Sequence, residues 1–378
     1  PLGSTTNFTF SVVNSSALVG VNFGKQASIQ LPVTISPKRI IFYGIEYRDP
    51  TLRFCGTSMR GVAEDFHPMR GLISNAPVDY AMNSGVLHSA ISVGVICPCE
   101  HNQKFAQFIS GLNRQSQAKH NTDYLISFPG FYRAFKTGLD LPDPNSSKWK
   151  QITASSEWDV HKAAVEFGDS ITRKIDQLSA NSIDVILIYI PKEYEVFTSY
   201  ADGTVNYDLH DYIKAYAAQK QVATQFVREK TIESDLHCQI MWALSLALYV
   251  KSGRTPWVVN GIQPDTAFAG IGYSVMNGPS DSNVVIGCSH IYSSDGCGMK
   301  YKLSKIQDYT FDRKKNPYLS EEEAYRIGLN IKELFYKSFS ELPKRVVIHK
   351  RTPFRKEEVK GLVESLSSAG VKNIELLE

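Results

Sequence analysis

The sequence predicts an α/β protein built from two successive sheets. The first is mostly parallel and the second opens as an antiparallel meander. Three observations carry this. Near-continuous apolar runs such as DVILIYI (Asp184–Ile190) alternate with amphipathic segments between about residue 88 and residue 251. After Pro256-Trp257, three strand-like runs follow one another across tight Gly/Asp/Asn turns. Helix and strand then alternate again to the last residue.

The elements follow in order. Pro1-Leu2-Gly3-Ser4 looks like the scar of a cleaved purification tag and is set aside. Residues 5 to about 80 are strand-like and turn-rich, with SIQLPVTI and RIIFYGI, and are expected to be an irregular lead-in. Residues 81–257 form the first domain. Ile91–Cys97 is a buried strand, 102–112 a helix, Tyr124–Phe128 a strand and Trp158–Leu178 a long amphipathic helix. Asp184–Ile190 is a strand buried on both faces. Helix 209–219, strand 222–227 and helix 233–251 complete the alternation. Such an order gives a Rossmann-like sheet, with a ligand expected at the carboxyl ends of its strands.

Residues 258–378 form the second domain. Strands at 267–275, 283–292 and 299–306 are followed by helix 320–342, strand 345–350, helix 356–369 and strand 373–378. The order βββαβαβ is that of an RNase H-like domain lacking its final helical part. That lack predicts a continuation outside the chain, or a partner that covers exposed apolar sheet surface.

Composition excludes some classes. The 378 residues are 43% apolar and 21% charged, which is globular rather than disordered. A net charge of +3 names no partner, so nucleic acid would have to bind through local basic clusters. The longest apolar helix candidate, WALSLALYV, is far short of the ~20 residues of a membrane span. Cys97-Pro98-Cys99 has the wrong spacing for a zinc knuckle, and the six cysteines suit reduced thiols in a cytosolic protein.

One stretch raises a chemical question: YDLHDYIKAYAAQKQVATQFVREK (Tyr207–Lys230). His210 and Lys214, four apart, share one face near a helix N-terminus. Gln225 sits in an apolar strand, where a buried amide needs partners. Taken singly, the His/Lys pair is an ordinary solvated face. Lys251, at a helix end before Gly253, complements the helix dipole.

Several segments resemble prokaryotic Argonautes in order and spacing, from about residue 50 onward. They are FHPMRGLISNAPVDY, YLISFPGFYRAF, YDLHDYIKAYAAQKQVATQFVREKTI, IMWALSLALYVKSGRTPWVV and FAGIGYSV…CSHIYSSDGCGMKYKL. The resemblance implies a MID domain at 81–257 and the first part of a PIWI domain at 258–378. It implies that His210, Lys214, Gln225 and Lys251 hold the 5′-phosphate of a guide strand, with a Mg²⁺ ion allowed at that end. The physics agrees: a helix N-terminus, two ammoniums and an amide donor suit an anion.

The same resemblance bears on catalysis. Family members that cut use carboxylates to hold two divalent ions. The first-strand position falls at Gly272, and the fourth-strand position at Arg351, or Lys350 if the register slips by one. None of these can coordinate Mg²⁺. Asp281, Asp295 and Asp308 are explained by turn chemistry. No catalytic or metal-ligating residue is therefore expected. A basic residue at such a position suits contact with a nucleic-acid backbone. The implied protein is a short, catalytically inactive Argonaute that binds guide RNA and recognises single-stranded target DNA by base pairing. It would act in the cytoplasm with an APAZ-containing effector of SIR2, TIR or nuclease type, in defence against plasmids or phage. The alternatives are a MID–PIWI fragment of a long inactive Argonaute, an active nuclease with displaced carboxylates, and an unrelated nucleotide-binding module. The last lacks a GxGxxG after the first strand.

Overall fold

The computed structural model describes residues 4–10, 17–22, 28–33, 40–46, 49–56, 61–80, 90–119, 124–153, 159–202, 205–263, 265–277, 282–292, 300–314 and 316–378. For the strands within 4–46 and for 274–305 the backbone alone is described. The chain divides into two compact units, Pro1–Pro50 and Thr51–Glu378. In the first, Ser4–Phe10 pairs with Ile40–Glu46 and Ala17–Asn22 with Ser28–Val33, both antiparallel. Pro1, Leu2 and Gly3 of the expected tag scar lie outside the described residues.

In the second unit Leu52–Cys55 pairs with Val62–Asp65 and with Val258–Val259. The Rossmann-like part consists of β1 (Ile91–Pro98), α1 (Asn102–Ser110), β2 (Trp149–Ile152), α2 (Val160–Ser179), β3 (Val185–Ile190), α3 (Leu209–Gln219), β4 (Ala223–Arg228) and α4 (His237–Lys251). The strands run β4–β3–β1–β2, and every pairing is parallel. Every residue of β3 is buried. Leu187 and Tyr189 pack with Phe105, Trp242 and Leu248 on one face. Ile186 and Ile188 pack with Phe167, Ile171 and Ile213 on the other. The run VILIYI has no polar side because both of its faces are covered.

The helix expected from Trp158 begins at Val160, because the Asp159 carboxylate accepts from the His161 and Lys162 amides at 2.9 and 3.3 Å. The strand expected at Tyr124–Phe128 is not formed. Only Phe128 makes a bridge, with Ser116. The Ile126 carbonyl instead accepts the Trp242 indole N–H at 2.7 Å, and Ser127 Oγ accepts the Ala118 amide at 3.1 Å. Side-chain partners have replaced a ladder.

The second sheet contains β5 (Thr266–Asn277), β6 (Ser282–Tyr292), β7 (Lys300–Lys305), α5 (Glu321–Phe339), β8 (Arg345–Lys350), α6 (Lys356–Ser368) and β9 (Asn373–Leu377). Its order is β7–β6–β5–β8–β9. The first three strands are antiparallel, and β8 and β9 add in parallel. This is the RNase H-like order. Helices α5 and α6 cover one face, where Ala267, Ala269, Ile271, Val346 and Ile348 meet Ile327, Phe335, Leu362 and Leu366.

The two helices touch through glycine. A Cβ at Gly361 would stand 2.2 Å from the Glu321 carbonyl oxygen. Gly361→Ala should therefore destabilise the chain by about 1–3 kcal/mol through forced separation of α5 and α6. A shift in the urea midpoint, at unchanged slope, measures it.

Candidate anion-binding site

Helix α3 is started by Asp208, whose carboxylate accepts the Asp211 amide at 3.0 Å. This places His210 in the first turn and Lys214 one turn later on the same side. Gln225 is the third residue of β4, the outer strand of its sheet, and Lys251 is the last residue of α4.

The structure brings Lys214, Gln225 and Lys251 together on one backbone group. Both ammoniums donate to the Thr224 carbonyl oxygen, Lys251 at 2.6 Å. Lys214 also donates to Thr224 Oγ1 at 2.9 Å, and Lys251 to Gln225 Oε1 at 2.7 Å. The Gln225 amide in turn donates to the Phe226 carbonyl at 2.8 Å. His210 stands at the edge of this group. It is exposed, its ring centroid is 5.4 Å from that of Phe226, and its Nδ1 is 3.2 Å from Asp211 Oδ1.

Thr224 is the residue that sequence reasoning missed. Its hydroxyl in an apolar strand beside Gln225 was the available signal. Its main contribution is a carbonyl, which leaves no mark in sequence.

The electrostatics are unusual. Lys214 and Lys251 are half-buried, and among the described residues neither is paired with a carboxylate. Burial pulls the Lys214 ammonium below its ordinary value. Burial, then the like charge of Lys214, brings Lys251 down to about 8. At an effective dielectric of about 20, two unit charges ~4 Å apart repel by about 4 kcal/mol. A dianion between them would reverse that sign.

The positions expected to be degenerate also adjoin one another. Parallel pairing sets Gly270 opposite His349 and Ile271 opposite Lys350, and Gly272 and Arg351 are the residues that follow this last pair. Both are exposed, and both line an open depression of about 330 Å³ with Gly270 and His349. At the alternative register, Lys350 lines the same depression. That side chain is 1% exposed on the helix-covered side and bonds Glu358 Oε2 at 2.5 Å. Asp308 is exposed, and Asp281 and Asp295 lie outside the described residues.

A parallel Rossmann-like layer followed by a mixed RNase H-like layer is the MID–PIWI arrangement of Argonaute and Piwi proteins. The crystal structure of Drosophila Piwi is similar, with a TM-score of 0.52 and 13% identity over 89% of this chain and 38% of that one. Clostridium butyricum Argonaute, bound to a guide DNA (5′ deoxycytidine) and a 19-mer target DNA, is similar at a TM-score of 0.54 and 14% identity. That match covers 88% of this chain and 39% of the other. The chain thus spans under two fifths of the length of either. At these identities the likeness is one of fold. No protein-family model and no curated protein matches the sequence.

Proposed function

We propose that this chain is the MID–PIWI portion of a short, catalytically silent Argonaute, with MID at 81–257 and PIWI from 258. In this reading it holds the 5′-phosphate of a guide RNA at Lys214, Gln225 and Lys251, with His210 at the rim. The observation that carries the reading is the pair of half-buried lysines on the Thr224 carbonyl without a carboxylate partner among the described residues. Two ammoniums and an amide suit an anion, and this donor set offers no carboxylate to a Mg²⁺ ion at the guide end.

Target single-stranded DNA would be recognised by base pairing, while Arg351 and His349 face its backbone. Gly272 has no donor atom and Arg351 carries a positive charge, so the pair does not fit a two-metal centre. Cutting or NAD⁺ depletion would then belong to an APAZ-containing partner of SIR2, TIR or nuclease type, switched on in the cytoplasm by plasmid or phage DNA. The test has two arms. The protein should copurify with short 5′-phosphorylated RNA. Loaded with guide, it should leave paired DNA intact in Mg²⁺ or Mn²⁺. Metal-dependent cleavage by the chain alone would sink the silent reading.

The site also sets a pH dependence. Lys251, at about 8 rather than its ordinary 10.5, must be protonated to hold phosphate. The phosphate itself is fully ionised above pH 7. Preference for a 5′-phosphate should thus be complete at pH 7. It should fall as pH rises through 8 and 9, by up to about tenfold per unit. Titrating affinity across that range, with 5′-hydroxyl RNA as control, checks it.

A further inference from the structure

In a parallel α/β sheet the usual place for a ligand is the crest at the carboxyl ends of the strands. The lysine cluster is not there, since Gln225 is only the third residue of β4. The crest carries a different group. Glu100 and His101 follow β1, and Glu193 follows β3. One donor atom from each lies within 4.8 Å of the other two.

The ligands are held in place. His101 Nε2 contacts Glu193 Oε1 directly. The Tyr194 hydroxyl donates to Glu100 Oε1 at 2.7 Å, and the Cys99 thiol donates to Oε2 at 3.0 Å. Glu229, after β4, accepts the Lys192 amide at 2.8 Å and binds Lys104.

A second, independent observation comes from the floor. Tyr189, the penultimate residue of β3, is 0% exposed, and among the described residues its hydroxyl has no hydrogen-bond partner. Its ring meets that of His101 edge-on at 5.7 Å, and Glu229, Lys104 and Glu193 are among the ionisable groups around it. A buried hydroxyl left unpaired is costly, and native structures rarely keep one without a water or ion to satisfy it. A cation held by two carboxylates and an imidazole keeps water in its open positions, and such a water would donate to Tyr189.

We propose that Glu100, His101 and Glu193 form a divalent-cation site at the crest of the Rossmann-like sheet, with a metal-bound water resting on the Tyr189 hydroxyl. One nitrogen and two oxygen donors suit a borderline ion such as Zn²⁺ or Mn²⁺ over Mg²⁺, which prefers oxygen alone.

The test uses the full chain, stripped with EDTA, and Zn²⁺ alone in calorimetry. Binding of one ion is expected. Glu193→Gln, a half-exposed position that cannot unfold the chain, and His101→Ala should each weaken it by about 100-fold or more. Tyr189→Phe should weaken it by about tenfold. His210→Ala, which opens the exposed Asp208–His210–Asp211 group instead, should leave it unchanged. Co²⁺ should give d–d bands without thiolate charge transfer. Absence of binding overturns the proposal. So does binding indifferent to Glu193→Gln and His101→Ala, binding lost in His210→Ala, or a thiolate band from Cys99.

Discussion

Replacing both Lys214 and Lys251 with alanine should abolish the preference for a 5′-phosphorylated guide, a loss of about 100-fold or more. Each ammonium offers a charge-assisted contact of about 1.5–3 kcal/mol. Each also lies in a half-buried place where water screens poorly. Affinity for 5′-hydroxyl RNA should change only a few-fold, because these lysines address the terminal phosphate. The salt dependence should flatten by roughly 0.7 in slope per lysine removed. Stability of the free variant should hardly move, since the substitution also removes a like-charge repulsion. An equal loss for both RNAs would mean general backbone contact and no end pocket.

The largest effect on stability should come from Glu358→Ala, about 3–5 kcal/mol. The Glu358 carboxylate is 1% exposed and ties together four groups. It accepts from Lys350 at 2.5 Å, the Arg355 amide at 2.9 Å, the Leu319 amide at 3.2 Å and the Tyr273 hydroxyl at 3.3 Å. Removing it leaves the Lys350 ammonium buried without a carboxylate, between the rings of Tyr318 and Phe354 at 4.8 Å each. Burial already draws Lys350 below its ordinary value. A whole domain is stable by only about 5–15 kcal/mol, so a loss of this size endangers the RNase H-like layer. Adding Lys350→Met to Glu358→Ala should restore part of the loss, because the orphaned charge goes. Urea unfolding of wild type, single and double variants measures both effects. A double variant weaker than Glu358→Ala would show that packing around Lys350, and not its charge, dominates.

Much of this architecture was legible in the sequence. A continuous apolar run announced β3, because a strand covered on both faces has no polar side to show. Helix α3 was expected at 209–219 and forms there, with Asp208 capping its start. Tyr124–Phe128 was misread for a physical reason. Its run of apolar residues is real, but the Ile126 carbonyl is claimed by Trp242 and Cys238 instead of a neighbouring strand.

In the candidate site, the resemblance to Argonautes pointed to His210, Lys214, Gln225 and Lys251, and the last three converge on Thr224 and one another. Thr224 could not be picked out, because it acts through its main chain. The surroundings of Lys350 and Arg351 also lay beyond sequence. Lys350 is buried against Glu358 of α6, while Arg351 is exposed. His101 and Glu193 are 92 residues apart and come together only because β1 and β3 end side by side.

The central claim is that the lysine pair on Thr224 receives the phosphate end of a guide. The most direct measurement compares binding of one short labelled RNA carrying a 5′-phosphate with the same RNA carrying a 5′-hydroxyl, at fixed salt and pH 7. The account predicts tighter binding of the phosphorylated strand, with the difference erased by Lys214→Ala/Lys251→Ala. Equal binding of the two strands by the wild-type chain would contradict it, and would leave His210, Lys214, Gln225 and Lys251 as a basic surface on an Argonaute-like fold.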